Sequence, residues 1–84
     1  MSMATVFLSR RRYRVVVRSN DHPPPHVHVL GKGLEARFRL NCPDGPVEVW
    51  DHDGDWTLAH LNELGAEIAA RLDTGCRIWS EIHG

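Results

Sequence analysis

The sequence is short of four things, and each shortage closes a class of function. It has two cysteines, Cys42 and Cys76, with no CxxC spacing, which excludes a disulfide scaffold and a four-cysteine zinc site. Reduced thiols are the expected state of such a pair, with a single Cys42–Cys76 bridge as the alternative. No run approaches the roughly 18 apolar residues of a membrane span, and Arg10-Arg11-Arg12 cuts the one apolar stretch near the start. A soluble, cytoplasmic protein without a signal peptide or membrane contact is expected. Chain length is the third shortage: 84 residues bury only about 60–65% of their unfolded surface and cannot divide a core, so one domain over 1–84 is expected. The fourth is local. Acids are scarce through residue 39 (Asp21 and Glu35 against eight bases), and bases are scarce afterwards (Arg71 and Arg77 against nine acids). The net charge of −1 therefore hides a basic half and an acidic half.

What is present begins with alternation. Tyr13, Val15 and Val17 share one face of a strand, with Arg12, Arg14, Val16 and Arg18 on the other. Asn20-Asp21-His22-Pro23-Pro24-Pro25 stops it, because proline donates no ladder hydrogen bond. His26-Val27-His28-Val29-Leu30 alternates again, and Gly31-Lys32-Gly33 reads as a hairpin loop. The strand Leu34 to Leu40 turns Leu34, Ala36, Phe38 and Leu40 inward. A turn cluster at 41–46 leads to a short strand, Val47 to Trp50. From residue 58 the period lengthens. Leu58, Leu61, Leu64, Ile68 and Leu72 mark one face of a helix capped by Asp55 or Thr57, and Gly75 is its expected C-terminal stop. Ile78, Trp79 and Ile82 then fit a short second helix. The expected class is α+β: a small antiparallel sheet of three to four strands with two C-terminal helices packed on one face. Period-2 geometry alone puts Arg14, Arg18, His26, His28, Glu35, Arg37 and Arg39 on the uncovered face.

His22, His26 and His28, with Asp21 and Glu35, form the densest chemical cluster. Two readings compete for it. Histidine titrates near neutrality and arginine forks onto phosphate, so His26 and His28 as base and acid, with Arg14, Arg18, Arg37 and Arg39 on phosphates, would suit metal-independent RNA cleavage or plain RNA or DNA binding. Alternatively, His22, His26 and His28, or two histidines plus Glu35, could hold a divalent metal such as zinc; no cofactor is needed on the first reading. A plainer role is also available, in which His22 and His26 hydrogen-bond carbonyls that the prolines leave unpaired. Downstream, Trp50, Asp51, Asp53 and Asp55 form an acidic stretch bounded by Trp50 and Trp56. It lacks the glycine and distal glutamate of an EF-hand, and reads as an edge for a basic protein partner or as a solvated loop with a tryptophan folded onto the core.

The string Ser19-Asn20-Asp21-His22-Pro23-Pro24-Pro25-His26-Val27-His28-Val29, followed by Gly31-Lys32-Gly33-Leu34-Glu35-Ala36-Arg37-Phe38, resembles the small bacterial domain-of-unknown-function family numbered 4160. The resemblance extends over nearly the whole chain. It includes Met3-Ala4-Thr5-Val6 as the family's usual start, which makes Met1-Ser2 an alternative start or a remnant. Such domains are often encoded beside a second small protein in pairs that look like toxin–antitoxin modules. The resemblance thus implies a nucleic-acid-associated accessory or toxin-like protein of a two-gene or mobile-element module, with a cognate small protein partner. The competing class is a non-enzymatic inhibitor or interaction module acting through the charge split.

Overall fold

The computed structural model describes residues 2–84; Met1, of the Met1-Ser2 pair read as an alternative start or remnant, lies outside them. Five strands run in chain order across one antiparallel sheet: β1 Met3–Leu8, β2 Arg14–Arg18, β3 His26–Gly31, β4 Leu34–Arg39 and β5 Glu48–Asp53. Two helices follow, α1 Leu58–Ala69 and α2 Leu72–His83. The α+β class is as expected, with one more strand than the three to four read from the sequence. The added strand is β1. Its pairing with β2 slips between Thr5 and Phe7, and that bulge breaks the alternation by which a strand is recognised.

Alternation elsewhere holds because one face is buried. Val27 faces Phe38 across the β3–β4 ladder and Val29 faces both Ala36 and Val15, so a single apolar layer runs through three strands. Leu61, Leu64 and Ile68 of α1 and Trp79 of α2 complete this core with Tyr13, Val17 and Leu40. The β3–β4 connection is a two-residue turn at Lys32-Gly33, both at positive φ, as a tight hairpin requires. Thr57 caps α1, its hydroxyl accepting from the His60 N–H at 3.1 Å.

Four expectations need correction. Leu58 is 73% exposed: at 100° per residue it sits roughly 90° from the centre of the Leu61/Leu64/Ile68 stripe. The helix break falls at Ala70-Arg71, where Arg71 leaves helical geometry, and not at Gly75. Gly75 lies inside α2, where a Cβ would meet a Leu40 methyl at an ordinary 3.5 Å, so neither its backbone nor the space around it makes it a stop. Cys42 and Cys76 form a disulfide joining the β4–β5 connection to α2, in place of two reduced thiols. The acidic stretch is mostly strand: Asp51, His52 and Asp53 pair with Arg37, Ala36 and Glu35 of β4, and only Asp55 of the acids singled out there lies in the loop beyond. Among the described residues, no helix is long and apolar enough to cross a membrane.

Candidate functional site

The sheet's second face is where the histidines go, but they are not laid open there. His26 and His28 are 3% and 5% exposed. Alternation sends their rings away from the Val27/Val29 core, and two neighbouring segments then cover them. One is the loop between β2 and β3. Asp21 turns back on β2: its backbone N–H donates to the Arg18 carbonyl at 3.2 Å, and its Oδ2 accepts from the Arg18 N–H at 3.0 Å. The Leu40 N–H donating to Pro25 O at 3.0 Å fastens the proline end of the loop to the end of β4. The other cover is Trp50, the extra residue of a bulge in β5 where the register shifts between Arg37 and Phe38.

The second oxygen of Asp21 is thereby aimed at both rings. Its Oδ1 lies 2.8 Å from His28 Nε2 and 3.5 Å from His26 Nε2. On the far side of each ring, Nδ1 has a partner. His26 Nδ1 donates to Pro24 O at 2.8 Å, and His28 Nδ1 lies 3.1 Å from Glu35 Oε2. A carbonyl only accepts, so the His26 proton belongs on Nδ1. The plain role foreseen for His26, serving a carbonyl in the proline segment, is realised. Glu35 also takes Arg18 Nη1 at 3.6 Å.

Beside this network the arginines are occupied by neighbours. Arg37 donates through Nε to Asp51 Oδ1 at 2.8 Å and through Nη2 to Oδ2, a two-pronged pair across the β4–β5 ladder. The guanidiniums of Arg37 and Arg39 lie 4.4 and 4.6 Å from the Trp50 ring centroid, and the His26 ring meets the same indole edge-on at 4.9 Å. Trp79 of α2 approaches His26 at 5.3 Å.

Burial sets the electrostatics of the pocket. It holds His26 below the ordinary histidine value, against the opposing pull of the Pro24 carbonyl and the Asp21 carboxylate. Asp21 is the reverse case: burial alone would raise it, but the hydrogen bonds from His28 and the Arg18 N–H, with the nearby imidazole charges, bring it below the usual carboxylate value.

Of the residues singled out in the sequence, the structure therefore gathers His26 and His28 and leaves His22 exposed on the loop surface. Asp21 takes the place expected of His22 in a three-donor set whose ligand atoms all lie within 4.8 Å of one another. The arginine set divides: Arg14 is exposed with no acidic partner among the described residues, Arg18 leans on Glu35, and Arg37 and Arg39 are held at Trp50. The acidic edge divides too. Trp50 and Asp51 are used within the sheet, whereas Asp53 and Asp55 are exposed and without an ion pair among the described residues.

A five-stranded antiparallel sheet with a helix pair on one face and a histidine–carboxylate network on the other defines an α+β protein whose chemistry is concentrated between β2 and β5. Residues 13–54, half of the chain, match the family described as Domain of unknown function (DUF4160). The chain belongs to that family. The match runs from Tyr13 to Gly54, so it takes in the whole histidine–arginine network and leaves out β1 and both helices. The chain is also similar to a nonribosomal peptide synthetase, ecdA, of Aspergillus rugulosus, at 31% identity over 72 residues; these cover 84% of this chain but 1% of that protein. No solved structure matches.

Proposed function

We propose that the protein is a nucleic-acid-associated accessory module of a two-gene, toxin–antitoxin-like or mobile-element system in the bacterial cytoplasm, and that it binds RNA or DNA without cleaving it. The observation that carries this reading is the cluster of exposed arginines at the β1–β2 hairpin. The guanidiniums of Arg10, Arg12 and Arg14 have no acidic partner among the described residues, and Arg11 is exposed beside them with its Nε on Glu63. Cations left in water can contact phosphates and release counterions. A ribonuclease would need His26 and His28 within about 3 Å of the reacting hydroxyl and leaving oxygen. Both rings are enclosed, and a phosphate could reach them only by displacing Trp50 or the proline loop.

The test is binding of fluorescent single-stranded RNA and duplex DNA at several salt concentrations. Replacing Arg12 and Arg14 together with alanine should weaken binding and flatten the salt dependence by about 0.7–0.9 in log–log slope for each phosphate no longer neutralised. Equal binding by the double variant, or no binding by the wild type at low salt, would sink the reading. Incubation with the same RNA should leave it intact.

A second reading, capture of a small basic protein, has its own support. β5 is an outer strand whose Glu48, Val49, Asp51, His52 and Asp53 are exposed, and outer strands can accept a partner's strand. Substituting Asp53 and Asp55 with serine should then reduce recovery of a protein that copurifies from the native host. Undiminished recovery counts against it.

A further inference from the structure

We propose that Asp21, His26 and His28 bind one divalent transition-metal ion, with zinc the ion that best matches the donor set. Histidines that ligate metals through one nitrogen almost always donate the other N–H to a carboxylate or a backbone carbonyl, which fixes the ring and its tautomer. Both patterns stand here side by side. His26 gives Nδ1 to Pro24 O at 2.8 Å, His28 has Nδ1 on Glu35 Oε2 at 3.1 Å, and the two Nε2 atoms turn toward the same oxygen of Asp21.

Zinc bonds of roughly 2.0–2.1 Å to nitrogen and oxygen place tetrahedral ligand atoms about 3.3 Å apart. The His26 Nε2 to Asp21 Oδ1 separation is 3.5 Å, close to that edge, and the His28 Nε2 to Asp21 Oδ1 separation of 2.8 Å needs to open by about half an ångström. All three donor atoms already fall within 4.8 Å of one another.

Two imidazole nitrogens and one carboxylate suit zinc and its transition-metal neighbours and not magnesium or calcium, which take oxygen donors. Arginines on this face would repel a cation, but two of the three are matched by an acid: Arg37 is paired with Asp51 and Arg18 lies against Glu35, while Arg39 keeps its charge and lies over the Trp50 ring. Asp21 alone has no cationic side chain other than the two imidazoles. An ion there would fasten the loop 19–25 to β3, so its binding would be read as added stability. Three protein donors leave a fourth position, which water fills in tetrahedral zinc sites.

The experiment uses the full chain without a polyhistidine tag, stripped with chelator, titrated with Zn²⁺ by calorimetry and with Co²⁺ by visible absorption. One equivalent should bind, the cobalt spectrum should be that of a tetrahedral nitrogen–oxygen site, and Zn²⁺ but not Mg²⁺ should raise the melting temperature. Asp21→Ala should weaken binding at least about as much as the 10–100-fold expected for Glu35→Gln, which removes no ligand but disturbs the support of His28 and the pair with Arg18. His22→Ala should bind as the wild type does. Failure of the wild type to bind one equivalent, equal losses in His22→Ala and Asp21→Ala, or an unaltered Glu35→Gln would each overturn the assignment. Should Asp21→Ala fail to fold, Asp21→Asn and Glu35→Gln carry the comparison, because both keep the shape of the original side chain.

Discussion

Arg37 and Asp51 face each other across the β4–β5 ladder and join through two parallel hydrogen bonds, an arrangement that converts an expected phosphate clamp and an expected partner contact into one internal ion pair. The pair also explains why an acidic segment extends as a strand. Aspartate is a poor strand former alone, but an opposite charge directly across the ladder offsets that preference.

The pair should leave a pH signature. The Arg37 guanidinium, chiefly by its hydrogen bond, holds the Asp51 carboxyl below its ordinary value. A depressed carboxyl contributes stability that is fully present above its unfolded value, about 3.9, and is lost as pH falls through the lower folded value. With half of the Asp51 side chain exposed, solvent screening keeps the contribution under about 1 kcal/mol. Asp51→Asn should therefore melt below the wild type near neutral pH, and the gap should narrow as pH falls below about 5 and on through the folded value of the carboxyl. A gap that persists at the acid end would mean that altered packing, not charge, causes it.

Gly75 offers a test of the helix boundary. A glycine ending a helix at positive φ loses stability on change to alanine, whereas one inside a helix gains. Since Gly75 lies within α2 and its new methyl would touch Leu40 at an ordinary 3.5 Å, Gly75→Ala should stabilise by about 0.5–1 kcal/mol in denaturant unfolding. Destabilisation would restore the reading of Gly75 as a stop. A bulkier Gly75→Leu should destabilise, because Leu40 is fully buried and cannot retreat.

How far the sequence could be read depended on whether a signal was local. The strands at 14–18, 26–31 and 34–39 were legible because alternation is a property of neighbours, and the same rule put His26 and His28 opposite Val27 and Val29. What alternation cannot say is whether the opposite face is wet. Its cover comes from Trp50, bulged out of a strand far along the chain, and from a loop that Asp21 folds back onto Arg18. The choice of Asp21 over His22 was hidden as well, since it turns on the two hydrogen bonds between Asp21 and Arg18, which no period reports. Gly75 misled because glycine commonly marks a helix end, whereas here it lies inside α2.

The Cys42–Cys76 bond closes a loop across a separation of 34 residues between the β4–β5 connection and α2. Cross-links of this span remove unfolded-state entropy worth about 3–4 kcal/mol in the chain-entropy account. Reductant, or Cys76→Ser, should lower the denaturant midpoint by a corresponding amount with the far-UV spectrum unchanged below the transition. Identical midpoints with and without reductant, alongside two titratable thiols in the untreated protein, would show the pair to be reduced in solution. That result would accord with a reducing compartment, where such bonds are rare.

The Arg37–Asp51 pair also separates the proposed nucleic-acid role from a simple effect of net charge. Asp51→Ala and Asp53→Ala each remove one negative charge, and both residues are exposed on the same strand. Only Asp51 restrains an arginine. If arginines on phosphates govern binding, Asp51→Ala should release Arg37 and tighten RNA binding more than Asp53→Ala does. The salt dependence of Asp51→Ala should steepen by about 0.7–0.9 in slope for one further phosphate neutralised, while that of Asp53→Ala stays near the wild type. Equal gains in the two variants would point to the overall field alone, and weaker binding by Asp51→Ala would mean that Arg37 is needed in place, paired, to hold Trp50 over His26.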